Sequence, residues 1–300
     1  MNRREFFAGA TVATAFAALA DLAFAQAGGT LGVLLLHGKQ SRPNTPGLND
    51  ISSKLSGIGA RVLVPSMPWE GQGWERISVT VEQVHAMIDG YVAQLRGQGA
   101  QRIVVGGQSL GANVALSYAV ARQNVAAVVM LAPGHSPAYV SRTYPDVTGL
   151  LEKAAAMVNS GQGAQPFKGT DDNQGSKLSL NTTAAAYLSW LNPRGQAAMQ
   201  AQAPLLPASI PLLMVMGRQD PAFNYNEANV YRPAAKNPYS KYIVVNAGHR
   251  DTDFAASAQV VSWIGGLPGR VSALQRFPLS ATCPPAQGVV CAPPPFVPHS

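Results

Sequence analysis

Short apolar runs bounded by turn residues recur along the chain: LGVLLL at 31–36, RVLV at 61–64, RIVVG at 102–106, VAAVVML at 125–131, IPLLMVMG at 210–217 and KYIVVN at 241–246. Most are continuous rather than alternating, the pattern of strands covered on both faces of a parallel sheet. The intervening segments predict helices near 46–57, 79–97, 109–122, 223–235 and 253–265. Strand followed by helix, repeated, predicts an α/β fold: a doubly wound, mostly parallel sheet of about six strands, with right-handed crossovers and a site at the strands' carboxyl ends. The rhythm breaks between Pro133 and Ala208, where helical pieces near 147–159 and 183–202 flank the polar stretch SGQGAQPFKGTDDNQGSK. A long connection inside a compact domain is usually functional, so a helical cap over the site is expected at about 135–208. Asp171 and Asp172, in the polar stretch, are expected to face water.

The two ends differ from this core. Residues 1–27, MNRREFFAGATVATAFAALADLAFAQA, open with Arg3 and Arg4, continue through an alanine-rich apolar stretch and end on small residues at A-x-A spacing, as a signal peptide does. The apolar run falls short of the roughly 20 strongly apolar residues that a membrane span needs. Arg3 and Arg4 followed by Phe6 resemble a twin-arginine signal. Asn2 and Phe7 depart from it, and a general secretory signal stands beside that reading. Cleavage after Ala25 or after Ala27 fits equally. The expected mature protein is periplasmic or secreted, with a folded domain over 28–269 and a proline-rich tail over 270–300.

Cys283 and Cys291 are the only cysteines, both in that tail. In an oxidising compartment they are expected to form a disulfide, a local clip that contributes about 2–3 kcal/mol in the chain-entropy model. A metal site would need two further ligands where the tail offers only His299, so no metal is expected. The net charge of +7 is dispersed, without a basic cluster interleaved with aromatics, which excludes a nucleic-acid footprint. No glycine-rich phosphate loop is present, and no cofactor is expected.

Against this background VVGGQSLGANVAL at 104–116 stands out, because a strand running directly into a helix needs a sharp turn whose apex is driven toward φ > 0. Gly107 and Gly111 lie two residues either side of Ser109, where a side chain would crowd the turn. The pattern is G-x-S-x-G, the nucleophile elbow, which lifts the serine oxygen clear and leaves the Leu110 N–H at a helix N-terminus. Three other features accompany it: LLLHGKQ at 34–40, where a strand ends in His37-Gly38; LLMVMGRQDP, where Asp220 follows a strand by three residues; and VVNAGHRDTD, where His249 follows the next strand through a short turn.

Together these four features, over residues 30 to 267, resemble the α/β-hydrolase family. The resemblance implies Ser109 as nucleophile, His249 as its base and Asp220 as the acid that orients the imidazole, in the family's Ser, Asp, His order. It also implies an oxyanion hole formed by the N–H groups of Lys39 and Leu110, with Gly38 allowing close approach and His37 structural. The implied activity is that of an exported serine hydrolase acting on a small-molecule carboxylic ester through an acyl-enzyme. An acyltransferase or thioesterase using the same triad, or a non-catalytic binding protein on the scaffold, are the alternatives. Trp69, Trp74 and His135 are candidates for the substrate pocket, with ordinary packing or solvation as the competing reading. Asp251 and Asp253 also lie near His249, but their place at the start of the next helix suits a cap or first-turn charge. The family's usual N-terminal antiparallel strands are missing, which implies a minimal sheet.

Overall fold

The computed structural model describes residues 29–268, so the expected signal peptide, the tail and the Cys283–Cys291 pair lie outside the described residues. Six strands form one sheet: β1 (Leu31–Leu36), β2 (Arg61–Leu63), β3 (Arg102–Gln108), β4 (Ala127–Leu131), and, beyond the insertion, β7 (Leu212–Gly217) and β8 (Lys241–Val245). Their order is β2-β1-β3-β4-β7-β8, and every neighbouring pair is parallel. The expected doubly wound architecture is therefore present, without an antiparallel N-terminal edge among the described residues.

Two of the helices that flank the sheet begin where local chemistry supplies orphan N–H groups with acceptors. Helix α1 (Pro46–Gly57) starts at Thr45, whose hydroxyl accepts from the Leu48 N–H, and Pro46 supplies a first residue that has no N–H to satisfy. Helix α2 (Val81–Gly97) carries a reciprocal capping box between Thr80 and Gln83. Helix α3 (Leu110–Arg122) is apolar nearly all round and is buried between sheet and insertion.

The sheet separates two apolar cores. On one face Val33, Leu35, Val104, Val129 and Val215 pack beneath α1 and the helix Ser257–Gly265. On the other, Leu34, Leu36, Val105 and Met130 join α2, α3 and the insertion in one larger cluster that includes Trp69, Trp74 and Trp190.

The insertion between β4 and β7 corrects the sequence reading. Helices α4 (Pro137–Thr143), α5 (Asp146–Asn159) and α6 (Ala184–Leu191) are present, but the polar stretch between α5 and α6 is an antiparallel hairpin, β5 (Pro166–Asn173) with β6 (Ser176–Thr183). Its turn, Gln174-Gly175, has φ of 52° and 84°, the mirror-image geometry that matches strand twist. The helix expected over 183–202 ends at Leu191, ahead of Pro193 and Gly195, and resumes only at Met199–Gln202. The helix expected over 223–235 contains a π turn at Glu227–Tyr231, just before Pro233, which has no N–H to continue the ladder.

Candidate active site

Strands β3, β7 and β8 deliver the three candidate side chains to one edge of the sheet. Ser109 follows β3 directly, with φ 54° and ψ −118°, a strained apex outside the αL basin. The flanking glycines are required by contact: a Cβ on Gly107 or Gly111 would overlap the backbone of Leu36 and, for Gly111, of His37. Asp220 is held after β7 by its own turn, its Oδ1 accepting from the Ala222 N–H at 2.8 Å. His249 follows β8, and its carbonyl accepts from the Gln108 side-chain amide at 3.3 Å.

The three converge. His249 Nε2 lies 3.0 Å from Ser109 Oγ, and His249 Nδ1 lies 2.7 Å from Asp220 Oδ2. A carboxylate can only accept, so Nδ1 carries the proton and Nε2 presents its lone pair to the serine hydroxyl. The geometry thus allows a proton to pass from Ser109 to His249 while Asp220 stabilises the resulting imidazolium.

Asp251 and Asp253 are elsewhere. Asp251 occupies the N-cap of the short helix Thr252–Ala255 without a side-chain cap bond, and Asp253 is buried, accepting from the Phe254 N–H at 2.9 Å. The expected place of both at the start of this helix is met, Asp251 at the N-cap and Asp253 in the first turn, although neither side chain makes the N-cap hydrogen bond. Burial raises the Asp253 carboxyl pKa above its ordinary value.

The loop after β1 passes beside the elbow, and a Cβ on Gly38 would sit 3.2 Å from that of Ser109. His37 is buried and fully committed to the backbone: Nδ1 to the Gly38 carbonyl at 3.0 Å, Nε2 accepting from the Met67 N–H at 3.1 Å. Burial lowers its pKa, and the neutral ring braces the loop. Neither the Lys39 nor the Leu110 N–H donates to another described residue, which leaves both free for a ligand oxygen.

Of the two readings left open for Trp69, Trp74 and His135, the structure favours packing: all three are buried. Trp69 and Trp74 stack edge-on against Trp190 at centroid distances of 6.0 and 5.3 Å, making a wedge between sheet and insertion. His135 donates Nε2–H to the Trp190 carbonyl at 2.9 Å, and burial together with the Lys39 charge pushes its pKa down to about 4. A ring so engaged is not a base for Ser109.

Two features were not anticipated. Gly134, in the loop after β4, lies so close that a Cβ there would stand 2.7 Å from His249 Cε1 and 3.0 Å from Ser109 Oγ. This loop leaves β4 through Ala132 at φ 43° and is pinned by Asn226 Nδ2 on the Pro133 carbonyl at 2.7 Å and Asn113 Nδ2 on the His135 carbonyl at 2.6 Å. The pairing of β4 with β3 sets APGH beside the elbow, a proximity that the sheet order decides.

The second is Asp171, expected in water and found buried. Its Oδ2 accepts from Lys39 Nζ at 2.5 Å and from Trp74 Nε1 at 2.8 Å. Burial, the largest single influence, favours the neutral acid, but the Lys39 charge and hydrogen bond, His135 and the local backbone together hold the carboxyl below its ordinary pKa. Asp172 is nearly as buried, bonded to Tyr144 Oη at 2.8 Å. Hairpin formation turns both carboxylates inward. Among the described residues no group of three or more His, Cys, Asp or Glu is placed to hold a metal ion, and no helix is long and apolar enough to cross a membrane.

A search of curated proteins gives no match. Solved structures with a similar fold include one of the metagenome-derived lipolytic enzymes LipS and LipT (17% identity, 79% of this chain and 94% of that one, TM-score 0.53). A monoacylglycerol lipase from Paleococcus ferrophilus (16%, 78% and 93%, 0.53) and a thioesterase domain from the curacin biosynthetic pathway (16%, 78% and 90%, 0.50) are also similar. At such identity the likeness is one of fold. The model of the alpha/beta hydrolase family matches residues 33–263, so the chain belongs to that family.

Proposed function

We propose that this chain is an exported serine hydrolase that cleaves a carboxylic ester. The observation that carries the reading is the unbroken sequence of contacts from Ser109 Oγ through His249 to Asp220, at 3.0 and 2.7 Å. His249 Nε2 takes the Ser109 proton as Oγ attacks the ester carbonyl. The oxyanion is held by the N–H groups of Lys39 and Leu110, and the imidazolium returns the proton to the leaving alcohol. Water, deprotonated by the same His249, then attacks the acyl-serine, releasing the carboxylic acid and restoring the hydroxyl. The lipolytic enzymes of similar fold are consistent with an ester substrate. Export rests on residues 1–27, through the twin-arginine or the general secretory machinery.

The test is a fluorophosphonate probe followed by peptide mapping, with nitrophenyl esters of graded chain length as substrates. Labelling of Ser109 and turnover of at least one ester are expected. An unlabelled Ser109 in folded protein would overturn the reading in favour of a binding protein. Labelling with turnover confined to thioesters would correct the substrate class.

A further inference from the structure

Lys39 occupies a double position. Its backbone lies in the loop after β1, with an uncommitted N–H beside the elbow. Its side chain runs under the insertion hairpin, where Nζ meets Asp171 Oδ2 at 2.5 Å and the Asp172 carbonyl at 2.8 Å, and lies 4.6 Å from the centre of the Trp74 ring. The pair is sealed, with side chains 5% and 0% exposed. Gln40, the next residue, sits at φ 56°; its side-chain carbonyl accepts from Asn173 Nδ2 at 2.7 Å, a second tie from the same loop to the same strand. Two consecutive residues of the loop are thus anchored to β5, more than 130 positions away.

We propose that the Lys39–Asp171 ion pair is a positioning device for the oxyanion hole: the insertion hairpin holds the Lys39 side chain, and this sets the Lys39 N–H at the place where charge develops on the substrate. The inference rests on the serine hydrolase reading above and adds a role for the insertion, which on this view completes the site rather than only covering it. An ammonium buried against a carboxylate, an indole and a carbonyl has few alternative positions, so the backbone carrying it is held to a narrow geometry. Oxyanion donors must be aligned before the reaction to contribute, and small displacements are costly.

The test uses the full chain carrying Lys39→Met with Asp171→Leu, which removes both charges and keeps the volume apolar. Its readouts are kcat, KM, melting temperature and the inhibition constant of an aryl trifluoromethyl ketone, whose serine adduct places an oxyanion in the hole. The expected result is a kcat lower by about 10²-fold with KM nearly unchanged, and ketone affinity weakened by a similar factor. A non-covalent competitive inhibitor should bind as before. The isosteric Asp171→Asn variant, which keeps an acceptor for Trp74 and Lys39, is the second probe in case the double variant does not fold. It should show a smaller parallel loss of kcat and ketone affinity. Wild-type kcat and ketone affinity in the folded variants overturn the inference, and so does an equal loss of affinity for both inhibitors. A wild-type Ser109 that reacts with neither ester nor fluorophosphonate overturns the hydrolase reading as well, so the two failures are distinguishable.

Discussion

Two pairs that each contain a carboxylate, on either side of one boundary, organise this molecule differently. Asp220 and His249 come from loops after neighbouring strands of the sheet, and the imidazole is 11% exposed. Lys39 and Asp171 come from the sheet and the insertion, and both are closed off. Parallel topology alone brings the first pair together, since any two adjacent strands end at the same edge. The second pair needs the hairpin to form and dock. In the first pair Asp220→Asn leaves no charge buried without a counter-ion, and should remove chemistry while sparing the fold. Removing one member of the second leaves a charge buried without its counter-ion, and the fold itself should suffer.

The largest effect expected on the sheet side is that of Ser109→Ala, which deletes only the attacking oxygen. Ester turnover should fall by about 10⁵–10⁶ in kcat with the melting temperature unchanged; a variant that keeps a tenth of the activity would break the assignment. Asp220→Asn should follow, with kcat lower by about 10²–10⁴ and little change in stability, because an amide cannot stabilise the imidazolium. If turnover instead survives in Asp220→Asn and vanishes in Asp253→Asn, the acid has been misassigned.

On the insertion side Asp171→Ala should cost about 3–5 kcal/mol in urea unfolding, since Lys39 would remain buried and uncompensated. Loss of turnover with unchanged stability in that variant would erase the contrast between the two pairs.

Acid should test the same boundary. His85 and His135 are buried, and desolvation, the main cause in both, lowers their pKa from 6.5 to about 4. The folded state therefore binds fewer protons than the unfolded chain between those values. Stability should be full above about pH 6.5, fall as pH drops toward 4 and level off below that, by up to about 3 kcal/mol per histidine. Replacing His85, which bonds Ser117 at 3.0 Å away from the site, by Gln should flatten part of that slope in a thermal melt series without changing kcat at neutral pH.

The smallest effect is reserved for Asp253→Asn. Its carboxyl is raised from 3.8 by burial, so its contribution is greatest below that value and is lost as pH rises through the folded pKa. At pH 7 the amide should leave stability within about 1 kcal/mol of wild type, in the stabilising direction, and turnover unchanged. A clear loss of stability would show that the charge of Asp253 in the first helical turn outweighs its burial.

What the sequence by itself determined is the sheet and the edge that carries the proposed chemistry. Continuous apolar runs specify buried parallel strands because each must be covered on both faces, and all six were legible to within two residues at either end. The elbow was legible because its strain leaves a local mark, Gly107 and Gly111 around Ser109. Asp220 and His249 were legible because each follows its strand by a short turn. What only the tertiary structure decided lies where partners are distant and the local pattern is ambiguous. In the hairpin, SKLSLNTT alternates but PFKGTDDN places a buried Asp171 where hydropathy predicts solvent, because the side chain's cost of burial is met by Lys39 and Trp74, 132 and 97 residues away. The choice between pocket and core for Trp69 and Trp74 was decided for the same reason, their partner Trp190 being on the insertion. A strand's hydropathy is set by its own residues, whereas the burial of a charge is decided by whichever distant group arrives to pair with it.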